Sequence, residues 1–366
     1  MIEPSPRSLV FRLSELSMRL ASVRYRGLIP ACALVDSGHA VSCISAGDGL
    51  PAMADLVFVI KPLTVKEAHF AGVAISKGFP VVVDLCDNIF IDNYAGQGSV
   101  IPDRFSGLAE RASLVTVPTA ALAEVVARTG GVPASKIIVV PDAVENRELL
   151  NKQARLIGLE PRGLARIRNR LAAPFASLPR LLRRITSGGT KRILWFGNHG
   201  ASYANFGLSD IELFRGALEA AARRQPVELW VVSNSEKKYR QMVGGMALPS
   251  RYFEWSESII DQLLDVVDLT IVPNSLDEFS RTKSANRALK SLASGVPVVA
   301  TPTDAYQELQ EAIWTADPQE GIEACLSDPD LVALQMAAAR KSIDAHFSLP
   351  ALGKHMAQVV GRGVLQ

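Results

Sequence analysis

Residues 268–301 read DLTIVPNSLDEFSRTKSANRALKSLASGVPVVAT. Apolar side chains on consecutive positions from Leu269 to Val272 predict a strand buried on both faces, and Pro273 ends it. A polar loop over 274–283 leads into a helix from about Ser284. That helix stops at Gly295, the residue type that accepts the left-handed conformation closing a helix. The apolar run 296–300 is the next strand. Strand, helix and strand in this spacing predict a parallel α/β unit, in which ligands bind beyond the carboxyl ends of the strands. The loop carries Ser275, Arg281, Lys283 and Ser284 to that edge and to a helix N-terminus, whose N–H groups and dipole favour an anion. A phosphate-bearing ligand is the chemistry this pattern implies.

The same alternation extends in both directions. Short apolar, β-branched runs at 40–45, 56–60, 80–85, 114–117 and 136–140 form one set, and those at 191–196, 227–232, 269–272 and 296–300 another. Crossover helices are predicted over 65–77, 120–128, 208–224 and 259–266. Two sets of strands predict two doubly wound α/β domains. The boundaries read as a first domain at 1–146, a basic connecting segment at 147–188, a second domain at 189–348 and a terminal helical segment at 349–366.

Composition agrees with an α/β protein of this size. The 366 residues are 48 % hydrophobic and 21 % charged, which excludes a disordered, collagenous or coiled-coil chain. A formal charge of +2 gives no general reason to expect a nucleic-acid partner. Cys32, Cys43, Cys86 and Cys325 lie far apart without a C-x-x-C pair, so they read as reduced thiols of a cytoplasmic protein. The first twelve residues lack the apolar core of a signal peptide, and no apolar stretch approaches the roughly 18 residues of a membrane span.

Charge is unevenly spread. Residues 147–187 hold ten Lys or Arg against two Glu, leaving the rest of the chain net acidic. Leu164, Ile167 and Leu171 share a helical face there, continued by Leu178, Leu181, Leu182 and Ile185. Such a segment either lies on anionic lipid headgroups, placing the protein peripherally at the inner face of the membrane, or packs its apolar face on the protein as a solvated basic connector.

Phosphate-loop, dinucleotide and serine-hydrolase signatures are absent, and the five histidines show no metal-ligand spacing. Asp328-Pro-Asp330 has the form of a divalent-metal site but sits where Asp and Pro end one helix and cap the next. No metal and no bound cofactor is therefore expected. Gly197-Asn198-His199-Gly200 follows a strand, and its glycines permit close approach of backbone to a ligand. Ser233 and Asn234 end another strand, where they either contact a ligand or cap a helix; Trp255 either stacks on a base or fills the core. Asp84 and Asp87 close the 81–83 strand, one of them placed to receive a proton. The glycine-bearing loop 88–100 is long enough to cover a site.

Lys283-Ser-Ala-Asn286-Arg287 followed by Leu292-Ala-Ser-Gly295-Val-Pro297 resembles the donor-site helix of GT-B glycosyltransferases near glycosyltransferase family four. Ala21-Ser22-Val-Arg24-Tyr-Arg26-Gly-Leu-Ile-Pro30 with Gly38-His39, Val83-Asp84-Leu-Cys-Asp87, Pro141-Asp142 and Phe196-Gly197-Asn198-His199-Gly200 resemble, in order, further landmarks of that group. The resemblance implies two Rossmann-like domains facing a central cleft, with the last helix crossing back to the first domain. It implies metal-independent transfer of a sugar from a nucleotide-sugar donor to a glycan or lipid-linked saccharide, with retention at the anomeric carbon.

On that reading Lys283 and Arg281 neutralise the leaving diphosphate and Asp87 serves the acceptor hydroxyl. Asn198, His199, Gly200, Ser233, Asn234, Trp255, Ser275, Ser284, Asn286 and Arg287 line the donor, while Ser22, Arg24 and Arg26 face the acceptor. One departure stands out. Many relatives carry two acidic residues, the second five positions before the helix-ending glycine and commonly on the donor ribose. Counting back from Gly295 places Thr282 and Lys290 there. A non-catalytic subunit of the same fold, and an epimerase or hydrolase of nucleotide sugars, are the alternative readings.

Overall fold

The computed structural model describes residues 5–159, 189–204 and 206–365, which fall into two α/β units. One unit comprises 5–159 together with 282–284 and 344–365; the other comprises the remaining described residues, 189–281 and 285–343. Of the basic segment 147–188, residues 160–188, with the lipid-facing residues expected of them, lie outside the described residues. Its first part, Arg147–Leu156, is a helix of the first unit, started by the Asn146 side chain accepting the Leu149 N–H.

The first unit is built on β1 (Ser8–Arg12), β2 (Ala40–Ile44), β3 (Leu56–Ile60), β4 (Val81–Asp84), β5 (Leu114–Val117) and β6 (Ile137–Val139). All pairings are parallel, in the order β2-β1-β3-β4-β5-β6. Every residue of β3 and β4 is buried, as helices on both faces require. The chain reverses its direction of winding between β1 and β3, so the loops after these two strands flank the crevice where such sheets take ligands. The strand β1 was not expected from the pattern, yet it is central: Phe11 stacks on Phe58 of β3 with ring centroids 4.4 Å apart. The helix Leu349–Val364 completes this core with Leu352, Met356, Val359 and Val360.

The second unit contains β7 (Lys191–Phe196), β8 (Val227–Ser233), β9 (Ser250–Glu254), β10 (Leu269–Val272), β11 (Val298–Ala300) and β12 (Ile313–Trp314). Their order, β12-β11-β10-β7-β8-β9, is that of a dinucleotide-binding fold read from its far edge. Its switch point lies between β7 and β10. The expected single helix over 208–224 is divided: Gly207–Phe214 is wound as 3₁₀ helix and only Arg215–Arg224 is α-helical. Buried Asp210 explains the division, since its carboxylate is spent on the Gly207 N–H (2.9 Å) and the Ser275 N–H (3.2 Å), tying the first turns to the loop after β10.

Candidate active site

In the second unit the chain after β7 turns sharply through Gly197-Asn-His-Gly200 and sits beside the loop after β10. Gly200 has φ +104°, and a Cβ there would collide with the Phe206 carbonyl oxygen. Gly207, at φ +91°, packs directly on the same turn. Three backbone donors of the turn are used internally. Gly197 N–H reaches Val232 O at 3.1 Å, His199 N–H reaches Asn234 Oδ1 at 2.9 Å, and Gly200 N–H reaches Asn198 Oδ1 at 2.9 Å. The His199 ring Nδ1 also meets Asn234 Oδ1, at 2.8 Å, so the structure brings these two sequence candidates together.

Arg287, in the first turn of the helix Asn286–Ala293, stands over this switch point. Its Nη2 donates to Asn274 Oδ1 at 2.6 Å, its guanidinium carbon lies 6.0 Å from the Trp195 ring centre, and a Cβ on Gly197 would stand 3.5 Å from its Nη1. Burial lowers the Arg287 pKa, opposed by Tyr306 and by Asp210. Burial likewise raises that of Asp210, opposed by the Gly207 N–H and by Arg287. Among the described residues no carboxylate comes within ion-pair distance of the Arg287 guanidinium. The helix it begins is entered from Ala285 without a side-chain cap. A desolvated cation without a close counter-ion, at a helix N-terminus on the switch point of a parallel sheet, is suited to an anion.

Other donor-side candidates are placed less directly. Ser275 is folded into its own loop, its Oγ 3.0 Å from Ser280 Oγ. Ser233 is fully buried in the sheet, its carbonyl accepting from Trp255 N–H (2.9 Å) and Tyr252 O–H (2.7 Å), so the structure gives it a framework role and not a ligand contact. Trp255 packs on the cluster of Leu194, Phe196 and Trp230, the core alternative for this residue. Exposed Arg281 lines a shallow depression with Leu276, Pro302, Thr303 and Asp304 beyond β11. Asn286 opens the helix that carries Arg287, half-buried.

The position at which the resemblance implies an acid holds buried Lys290. Its ammonium pairs with Glu257 at 3.1 Å and Asp261 at 3.0 Å, both from the helix Glu257–Leu264. The two carboxylates thus come from a neighbouring helix and are bound to a lysine.

In the first unit the acceptor-side arginines are structural in this arrangement. Val23–Leu28 is wound as a π-helix from Ser22, whose side chain makes no capping bond, and both arginines within it point into the core. Arg26 binds Asp84 through Nη2 at 2.7 Å and Asp142 through Nη1 at 2.7 Å, and Thr116 Oγ1 donates to Asp84 Oδ2 at 2.8 Å. Burial acts against the Arg26 charge, but Asp84 and Asp142 outweigh it and raise its pKa. Arg24 is held by Glu145 at 2.9 Å. The expectation that these arginines face a bound acceptor is therefore corrected: long-range buried carboxylates take up their charge.

Asp87 keeps a half-buried carboxylate at the end of β4, one oxygen paired with Lys61 and the other with Lys283 of the 282–284 segment. Burial alone raises its pKa, but Lys283 and then Lys61 hold it well below the usual carboxylate range. No motif in the sequence marks Lys61. It ends β3 at the switch point of the first sheet with φ +51°, a conformation that side chains other than glycine adopt at a cost. Lys283 sits with this carboxylate and Ser284 beside it in the first unit.

Among the described residues no group of three or more His, Cys, Asp or Glu is placed to hold a metal ion. Asp328 Oδ1 accepts the N–H groups of Asp330 and Leu331, the capping alternative for that motif. All four cysteines are free thiols. No described helix is long and apolar enough to cross a membrane.

No family model matches the sequence, and no curated protein matches it. Solved structures do match over its whole length. A glycosyltransferase from Rickettsia africae ESF-5 aligns over 99 % of this chain and 100 % of its own, with a TM-score of 0.64 at 12 % identity. A trehalose-6-phosphate protein from E. coli, bound with UDP-2-fluoro glucose, aligns over 96 % of this chain and 98 % of its own, with a TM-score of 0.61 at 11 % identity. S. aureus TarM, in complex with UDP, aligns over 83 % of this chain and 55 % of its own, with a TM-score of 0.55 at 12 % identity. With two parallel six-stranded sheets, their strand orders and these full-length likenesses, the chain has the GT-B fold.

Proposed function

We propose that the protein is a glycosyltransferase. It moves a sugar from a nucleotide-diphosphate donor to a hydroxyl of a saccharide or lipid-linked saccharide, without a metal ion and with retention at the anomeric carbon. The observation that carries the reading is the second-sheet switch point. There a glycine turn, Asn274 and Arg287 converge, and Arg287 has no close counter-ion among the described residues. The structural neighbours support the donor class, since one is bound with UDP-2-fluoro glucose and another is in complex with UDP.

On this reading Arg287 and the helix N-terminus at Asn286 meet the charge that develops on the leaving diphosphate. One well-placed donor of this kind contributes about 3–4 kcal/mol in water-excluded sites. His199, fixed by Asn234, and Arg281 in its depression lie on the same edge of the sheet and take the remaining polar groups of the donor. Asp87, kept ionised by Lys61 and Lys283, accepts a hydrogen bond from the acceptor hydroxyl and orients it. A carboxylate so strongly stabilised is a poor proton acceptor, so it is proposed as an orienting group.

The test is a thermal-shift panel of UDP, GDP, ADP, dTDP and CMP, with and without magnesium, on wild type and Arg287→Met. A nucleotide at a hundred times its dissociation constant contributes about 2.7 kcal/mol, several degrees for a domain of this size. One nucleoside diphosphate is expected to stabilise the wild type independently of magnesium and to lose that effect in Arg287→Met. Silence from all five overturns the donor assignment and favours the non-catalytic subunit.

A further inference from the structure

The turn Gly197–Gly200 has a cation at each end, and only one of them is apparent from the sequence pattern. Lys238 is the third residue of the helix Glu236–Val243, which follows β8. Its half-buried side chain reaches the glycine turn after β7: a Cβ placed on Gly200 would stand 3.1 Å from Lys238 Nζ. Arg287 meets the other end of the turn at Gly197. Two residues separate the two glycines, so their Cα atoms are no more than about 11 Å apart.

The placement of Lys238 is electrostatically unfavourable for the protein alone. It occupies the first turn of a helix, where the dipole opposes a cation, and Lys237 adds a second positive charge. Glu236, the acid in the same turn, is engaged by Arg240, whose Nη2 lies 2.7 Å from Oε1. Among the described residues no carboxylate is within ion-pair distance of the Lys238 ammonium. Meanwhile the N–H groups of Gly197, His199 and Gly200 are all donated within the protein. An anion seated on this turn must therefore be met chiefly by side chains, and among the described residues Lys238 and Arg287 bring positive charge to it.

We propose that Lys238 is a phosphate ligand, forming with Arg287 the two ends of a clamp on the donor diphosphate. The proposal rests on the nucleotide-sugar reading above and deepens it: the clamp reads the length of the phosphate chain. A diphosphate engages both cations, a monophosphate one, a nucleoside neither.

Calorimetric titration of the full-length protein with UDP, GDP, ADP and dTDP selects the tightest diphosphate. That compound, its monophosphate and its nucleoside are then titrated into Lys238→Gln and Lys238→Arg. Lys238→Gln is expected to weaken the diphosphate about ten- to a hundredfold and to change the nucleoside affinity by less than about twofold. Lys238→Arg is expected to retain most of the diphosphate affinity, and the ligand-free melting temperature of Lys238→Gln to equal or exceed that of wild type. An unchanged diphosphate affinity in Lys238→Gln, or an equal loss for diphosphate and nucleoside, overturns the clamp and leaves the nucleotide-sugar reading standing. A wild type that binds none of the four diphosphates overturns both.

Discussion

Lys290 shows how one changed residue is absorbed by its surroundings. A lysine that is 5 % exposed is tolerated only with its charge met, and Glu257 and Asp261 meet it from 3.1 and 3.0 Å. An acid at this position would place a third carboxylate against those two. Lys290→Glu is therefore expected to destabilise the second unit by roughly 3–5 kcal/mol, read from urea denaturation; a loss within experimental error of zero would show that the helix Glu257–Leu264 moves away freely. Residues of this kind explain what the sequence conceals. Arg26 finds Asp84 at a separation of 58 residues and Asp142 at 116, so no local pattern marks it as a core residue. Lys61 and Lys238 belong to no motif, and only the topology shows what they face. By contrast Gly197, His199, Asn234 and Arg287 lie at strand ends and at a helix start, where the pattern of apolar runs already pointed.

At the scale of elements, strands are legible where burial on both faces leaves an unbroken apolar run. Leu56–Ile60 and Val81–Asp84 are of this kind. The pattern conceals β1 because its three apolar residues, Leu9, Val10 and Phe11, stand between Ser8 and Arg12, and the buried Arg12 reads as surface until it is seen over the Phe70 ring, 4.5 Å from its centre. The split in the helix after the glycine turn was equally hidden, because it depends on the Asp210 carboxylate capping a distant loop. The turn itself is a backbone device. Gly200→Ala adds a Cβ at φ +104° against the Phe206 carbonyl, and is expected to cost about 1–3 kcal/mol. Denaturant midpoints of this variant and of Gly216→Ala, where a Cβ meets nothing within 4 Å, make the comparison. Equal midpoints would show that the turn relaxes without strain.

Across the whole molecule the chain does not divide into a first half and a second half. The helix Leu349–Val364 lays Leu352, Met356, Val359 and Val360 into the core that contains Leu34 and Leu56, and Phe347 O accepts the Val144 N–H at 2.8 Å. A protein ending at residue 347 is expected to expose that core. Limited proteolysis should then cut within 5–159 while 189–343 survives. Equal resistance of the two parts would show that the last helix is dispensable.

The same helix has a consequence for biosynthesis. The strands of the first sheet leave the ribosome early, but the helix that seals their apolar face is made only after the second unit. Roughly 210 residues lie between Val139 and Leu349, and at about 5–20 residues per second the groove stays open for on the order of ten to forty seconds. The second unit, nearly continuous in sequence, is free to close during that interval. The nascent chain thus carries an unsealed sheet while the whole second unit is made, which makes the first unit the part of this protein that a chaperone would hold.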